Sequence, residues 1–266
     1  MTALSDIARP LLRAPRRGLE ALRPWSVVPR EGDQYIASFP RSGSTWLRTV
    51  ITNVLDPSAQ SDPEVFNARI PGVSFRNLPT IYRLPSPRLL KTHAAWWPGA
   101  RRAVYLVRDG ADAISSFYHY VSTRAGRQMS FEAFYERYAR GDFGPPWHAH
   151  VEGWLGPGRR ALGQNLLVVR FEDLKADTPG VVASVLDFLG LPADSAQIGA
   201  AIEAASIENM RRIEAQEWGG ARKGDVSFYR GGRSGQAEDL FPADLRAHFQ
   251  AVSADARRVA GYPPRG

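Results

Sequence analysis

The 266-residue chain contains no cysteine, which excludes disulfides, thiolate zinc sites and thiol redox chemistry and leaves any catalysis to other groups. It has no run close to the roughly 20 apolar residues of a membrane-spanning helix. Its opening, "MTALSDIARPLLRAPRRGLEALRPW", has neither the apolar centre nor the small-residue cleavage site of a signal peptide. Together these absences predict a soluble, cytoplasmic protein. Internal repeats and low-complexity linkers are missing too, so one domain is expected over residues 32–266, after a basic tail at 1–31.

What the chain has in excess is positive charge, a formal +7 at neutral pH, which marks anions as partners. The arginines are scattered, with no zinc-finger spacing, RNP-like strand or long basic helix, so nucleic acid is not expected. A compact small anion accounts for the same excess. Residues 1–31 carry six arginines, with Leu4, Ile7, Ala8 and Leu11 at helical spacing until Pro10 and Pro15 interrupt it. That segment reads either as a surface tail or as a basic stretch that touches a membrane surface.

From Asp33 on, short apolar runs alternate with helical patterns, which predicts a single α/β domain with a mostly parallel central sheet flanked by helices. "QYIASF", "RLLKTH", "AVYLVRD" and "NLLVVRFEDL" read as strands. "STWLRTVITNVL" places Trp46, Leu47, Val50, Ile51, Val54 and Leu55 on one helical face. "GADAISSFYHYVS", "TPGVVASVLDFLGL" and segments near 194–206 and 242–261 complete the expected helices. Residues 57–87, rich in Pro, Ser and Asn, are expected to run irregularly over the carboxyl edge of the sheet, where α/β folds hold ligands.

The chemistry starts at "SFPRSGSTW", where a strand turns into a helix and presents unpaired N–H groups and the positive end of the helix dipole. This is an anion cradle. Ser38 and Ser44 stand where a nucleotide triphosphatase requires its first glycine and its lysine, while the cation is Arg41 and Trp46 follows, placed to stack on a base. The same residues also fit a plain Ser/Thr helix cap over a core tryptophan.

"SFPRSGSTW" resembles the 5′-phosphosulfate loop of the sulfotransferases that use 3′-phosphoadenosine 5′-phosphosulfate (PAPS). The resemblance implies a phosphate-loop-like strand-loop-helix with PAPS as sulfonate donor, 3′-phosphoadenosine 5′-phosphate (PAP) as product and no metal. It sets Arg41, Ser42, Gly43, Ser44, Thr45 and Trp46 at the donor. "YLVRDGADAISSFYHY" is similar to the family's 3′-phosphate segment, with Arg108 and Ser116 at the gripping positions. An arginine at a strand end and a serine two turns into the next helix can converge on one phosphate. "LLKTH" is similar to the strand end that carries the family's base. It makes His93 the base, and Lys91 and Arg41 the cations on the leaving phosphate.

"PPWHAHVEGW" resembles a further family segment at Trp147, His150 and Trp154, which implies Trp147 and His150 at the acceptor. His119, His148 and His248 are left as surface or packing residues. Phe171, Ser206 and Ile207 fall at adenine positions, with Phe171 and Ile207 where the family commonly has tyrosine and phenylalanine. "FYRGGRSGQAEDLF" puts Arg230 and Gly232 at the 3′-phosphate, but Gly231, Gln236 and Ala237 depart from the family pattern.

The expected function is in-line transfer of a sulfonate to a hydroxyl of a small-molecule, lipid-like or sugar acceptor, with a histidine base. Segments 57–87 and 123–147 are expected to shape the acceptor pocket. Two other readings stand beside it. A small-molecule phosphate-loop kinase requires a loop lysine and a magnesium carboxylate; a nucleotide-binding scaffold is favoured by the altered loop at 228–241.

Overall fold

A computed structural model describes residues 27–125, 129–218 and 240–263. Among these, four strands form one parallel sheet: β1 (Gln34–Ser38), β2 (Leu89–Thr92), β3 (Ala103–Val107) and β4 (Leu166–Arg170), in the order β2-β1-β3-β4. A parallel sheet is covered on both faces, so its strands read as near-continuous apolar runs, and all five residues of β3 are buried. The register sets Ile36 beside Lys91 and Ser38 beside Leu106, which lines up the carboxyl ends of β2, β1 and β3.

The helices are α1 (Ser44–Leu55), α2 (Pro63–Arg69), α3 (Leu78–Arg83), α4 (Gly110–Ala125), α5 (Phe131–Ala139) and α6 (Trp147–Gly153). They continue with α7 (Arg159–Leu162), α8 (Phe171–Ala176), α9 (Thr178–Leu189), α10 (Ser195–Ala204), α11 (Ile207–Trp218) and α12 (Ala243–Val259). On one face of the sheet Ile36, Val104 and Leu106 cluster with Leu47, Val50 and Ile51 of α1 and with Val182 and Leu186 of α9. On the other, Tyr35, Tyr105 and Val107 cluster with Phe117, Phe134, Val151 and Phe249 of α4, α5, α6 and α12.

α1 departs from the expected single apolar face. Leu47, Val50 and Ile51 are fully buried but Leu55 is 38% exposed, and Arg48, Thr49, Thr52 and Asn53 are buried as well. The reason is that α2 and α10 also pack on this helix. Its polar groups are satisfied locally: the Thr49 and Thr52 hydroxyls donate to carbonyls four residues back, and Asn53 donates to Ser61 Oγ and Ala201 O and accepts from Ser61 N.

Two other expectations change. "FEDL" opens α8 instead of prolonging a strand, because Arg170 is the last residue paired with β3, and Glu172 and Asp173 suit the first turn of a helix. Residues 57–87 are built of short helices: α2 has the Asp62 side chain as its cap and Pro63 in its first turn, and α3 also has a proline in its first turn. Between them residues 71–73 run along β2, with Lys91 N donating to Pro71 O and Val73 N to Lys91 O. The helices α5, α6, α7 and α11 add to the expected set. No helix of the described residues is long and apolar enough to cross a membrane.

Candidate active site

The loop between β1 and α1 is shaped by two left-handed residues, Arg41 at φ 69° and Gly43 at φ 95°. For glycine this conformation is free, but for arginine it carries about 1–2 kcal/mol of strain, a common mark of ligand-binding turns. Gly43 occupies the cap position of α1 and offers no side-chain cap, so the first N–H groups of the helix have no capping side chain. Ser42 Oγ is fully buried and meets no hydrogen-bond partner among the described residues. A cradle with uncapped N–H donors, a helix dipole and a buried hydroxyl in want of a partner fits an anionic ligand.

Phe171, at the start of α8, braces the cradle. A β-carbon placed on Gly43 would lie 2.9 Å from the Phe171 ring, and the Arg108 guanidinium sits 4.7 Å from the centre of that ring. Arg41 stands between Arg108 and Ser116: Arg108 Nη1 donates to Arg41 O at 3.2 Å, and Arg41 Nε donates to Ser116 Oγ at 3.1 Å. Burial lowers the Arg108 pKa, partly offset by Asp112, Glu172 and Asp109. Arg41 also lies over Tyr120 at 5.4 Å, so its head faces α4.

Trp46 Nε1 donates to Ala205 O at 2.9 Å, which brings the indole to the α10–α11 junction beside Ser206 and Ile207. Those three residues therefore share one side of the cradle. Ser206 Oγ accepts from Asn209 N at 3.4 Å. Arg230 and Gly232, like most of the basic segment 1–31, lie outside the described residues.

On the other side of the cradle Lys91 lies in β2 and His93 directly follows its last residue, Thr92. His93 Nδ1 is 2.8 Å from Ser38 O; a carbonyl only accepts, so Nδ1 carries the proton and Nε2 is the bare nitrogen. Lys91 Nζ lies 2.5 Å from that Nε2 and donates to it. Ser38 Oγ in turn bonds Ser44 Oγ at 2.9 Å, which ties the histidine to the first residue of α1.

Burial, then the charge of Lys91, holds the His93 imidazole well below its ordinary value, more than the Ser38 carbonyl offsets. Lys91 is pulled down to about 7, first by burial and then by Arg48 and Arg41. An imidazole kept neutral beside a lysine with a pKa pulled down to about 7 is a pair suited to proton transfer near pH 7.

Trp147 and His150, expected at the acceptor, both sit on α6. They are 0% exposed, because α6 turns them inward against the sheet. Trp147 Nε1 donates to Arg108 O at 3.1 Å, so it supports the arginine from behind. The His150 ring stacks on Tyr105 at 5.7 Å with Nδ1 3.0 Å from the Tyr105 hydroxyl, and burial lowers its pKa to about 4.

Sequence reasoning passed over Arg48. It sits 6% exposed on α1, donates to Ile70 O at 3.1 Å, stacks on Phe66 at 4.4 Å and acts on both Lys91 and His93. The signal available was a lone arginine in the middle of an apolar helix.

Comparison with known proteins agrees with this architecture. Mouse sulfotransferase 1E1 is 26% identical over 83% of this chain and 81% of its own length, and mouse sulfotransferase 2A1 is 25% identical over 96% and 93%. A crystal structure of retinol dehydratase with androsterone and the inactive cofactor PAP superposes with a TM-score of 0.69 at 23% identity, over 90% of this chain and 84% of that one. Mouse sulfotransferase SULT7A1 complexed with PAP gives 0.67 at 21% identity, over 88% and 86%. These structural likenesses establish the fold. The family model for the sulfotransferase domain matches residues 31–261, from just before β1 to the end of α12. The chain belongs to the sulfotransferase domain family.

Proposed function

We propose that this sulfotransferase takes its sulfonate from PAPS and passes it to a hydroxyl of a small-molecule, lipid-like or sugar acceptor, with His93 as base. The observation that carries this reading is the pair Lys91–His93, 2.5 Å apart, at the strand end beside an uncapped helix N-terminus. Support for the donor comes from Arg41, Arg108 and Ser116 gathered on one side of the loop, and from the PAP held by two solved neighbours. Retinol dehydratase, one of these neighbours, is solved with androsterone and also with retinol, both small alcohols.

When bound, the donor supplies a sulfonate activated as a phosphosulfate anhydride. The residues of the chain do the rest. The loop N–H groups, Ser42 and Thr45 would hold the 5′ end, with Arg41 on the leaving phosphate; Arg108 and Ser116 would hold the 3′-phosphate, with Arg230 and Gly232 as further contacts; Trp46, Phe171, Ser206 and Ile207 would surround the adenine. Lys91 turns from His93 to the bridging oxygen and stabilises the charge that builds there. His93 Nε2, uncovered, takes the acceptor hydroxyl proton as the new O–S bond forms, and the S–O bond to the leaving phosphate breaks with its electron pair. Trp147 and His150 support this site from behind. No role falls to a metal, and none to nucleic acid.

Residues 32–266 act as the catalytic domain in this reading, and the basic segment 1–31 is available for a membrane surface. The cysteine-free chain suits a reducing cytoplasm.

Calorimetric titration with PAP, against ADP and ATP with magnesium, tests the donor site. Binding that needs the 3′-phosphate and is lost in Arg108→Ala supports it. A preference for ATP with magnesium, or no nucleotide binding, refutes it.

A further inference from the structure

A buried polar cluster that takes no part in the chemistry joins the carboxyl-terminal segment to the turn that carries Arg108. Asp109 and Arg257 are each 5% exposed, and Arg257 Nη1 donates to Asp109 Oδ2 at 2.8 Å. The other oxygen of Asp109 caps α4 by accepting from Ala111 N and Asp112 N. Glu172 accepts twice: Oε1 from Asp109 N at 3.1 Å and Oε2 from the Tyr262 hydroxyl at 2.7 Å. Tyr262 N donates to Arg257 O at 2.9 Å, and Arg257 Nη2 to Pro263 O at 2.8 Å, so the tail is folded back on α12.

The next contact points the same way. Trp147, which holds Arg108 O, packs against Phe249 of α12, and a β-carbon on Gly110 would lie 2.7 Å from each of the two rings. The carbonyl of Arg108, the N–H of Asp109 and the carboxylate of Asp109 are thus held by α6, α8 and α12 in turn. A guanidinium fork grips a phosphate only along the direction its backbone allows, and nearby carboxylates compete for it. Asp109 and Glu172 both lie near enough to act on the charge of Arg108, and Arg257 and Tyr262 each take one of their oxygens.

We propose that Arg257 and Tyr262 are positioning residues for the donor's 3′-phosphate: they fix the Arg108 turn and occupy Asp109 and Glu172, two of the three acids beside it, so that Arg108 is presented to a phosphate. The proposal rests on the PAPS reading given above. It sets the selectivity for a 3′-phosphorylated nucleotide partly in the last turns of the chain, over 140 residues from Arg108 in sequence, as the separation of 148 between Asp109 and Arg257 requires.

Calorimetry on the full chain with PAP and with ADP, which lacks the 3′-phosphate, tests it. Tyr262→Phe keeps the ring contacts with Arg170 and Trp147 and loses only the hydroxyl that Glu172 accepts from. It is expected to weaken PAP about five- to tenfold and ADP less than twofold. Arg257→Gln is expected to lose more, and Arg257→Lys, which returns a cation to Asp109, to recover most of that loss. Should Arg257→Gln fail to fold, Tyr262→Phe decides alone. Equal losses for PAP and ADP, or none for either, overturn the proposal, because a merely structural role moves both ligands together. A wild-type protein that binds PAP no better than ADP overturns the donor reading itself, and the proposal with it.

Discussion

Lys91 covers His93: its ammonium lies 2.5 Å from His93 Nε2, the nitrogen left bare because Nδ1–H is spent on Ser38 O. One cation thus shields the histidine in the free protein and is placed to move to a bound anion.

Proton uptake should accompany donor binding. Lys91 titrates near 7, so at pH 8 it is mostly neutral in the free protein, and a bound dianion restores its ammonium form. PAP binding at pH 8 is expected to take up a proton, with affinity falling as pH rises above about 7. Calorimetry in buffers of different ionisation enthalpy reads the uptake directly. Lys91→Met should abolish it.

Arg48 sets how large that uptake is. After burial, its charge is what lowers the Lys91 pKa, so Arg48→Met raises it and leaves more of Lys91 protonated at pH 8. The same calorimetric comparison should then show a smaller uptake. An unchanged value removes Arg48 from the electrostatics of the site.

Stability rises with pH through the Lys91 titration, the opposite of a salt-bridged lysine, whose folded-state pKa is raised. Unfolding returns Lys91 from about 7 to its ordinary 10.5, so between these values the unfolded chain binds more protons and stability rises with pH. Urea unfolding at pH 7 and pH 9.5 should show Lys91→Met more stable than wild type at the lower pH, with a flatter response.

His93→Ala is expected to cost about a hundred- to ten-thousand-fold in turnover while PAP still binds. Single-turnover transfer from radiolabelled PAPS measures it. Turnover near the wild-type rate in His93→Ala assigns the base to another group.

Gly43→Ala strains the turn at φ 95° and drives a methyl to 2.9 Å from Phe171. A loss of about 1–2 kcal/mol in stability and of most PAP affinity is expected. Phe171→Ala in the same chain removes the clash but keeps the backbone strain, so it should recover part of the stability. Full recovery of both shows that the clash alone matters.

Much of this site was legible in the sequence because its parts are contiguous. "SFPRSGSTW" holds strand end, cradle and helix start in nine residues, and "LLKTH" holds both Lys91 and His93. What escaped is what the fold brings from afar. Asp109 meets Arg257 across 148 residues and Glu172 meets Tyr262 across 90, and no local spacing carries either pair. The left-handed turn at Arg41 has no glycine to announce it, and Arg48 was hidden by the apolar stripe around it. Trp147 and His150 matched a pattern, but a pattern does not say which way a helix is turned; burial against Tyr105 and Phe249 does.

The strand order also bears on how the chain is made. β1 emerges first yet lies inside the sheet, where Tyr35 pairs with Leu90 on one edge and Ala103 on the other. At about 5–20 residues per second a ribosome needs roughly 3–14 seconds to deliver the second of these partners. Until Leu90 is delivered the apolar β1 has both edges bare, and until Ala103 follows it has one, so the strand is made well before the carboxyl ends of β2 and β3 exist to be aligned with it.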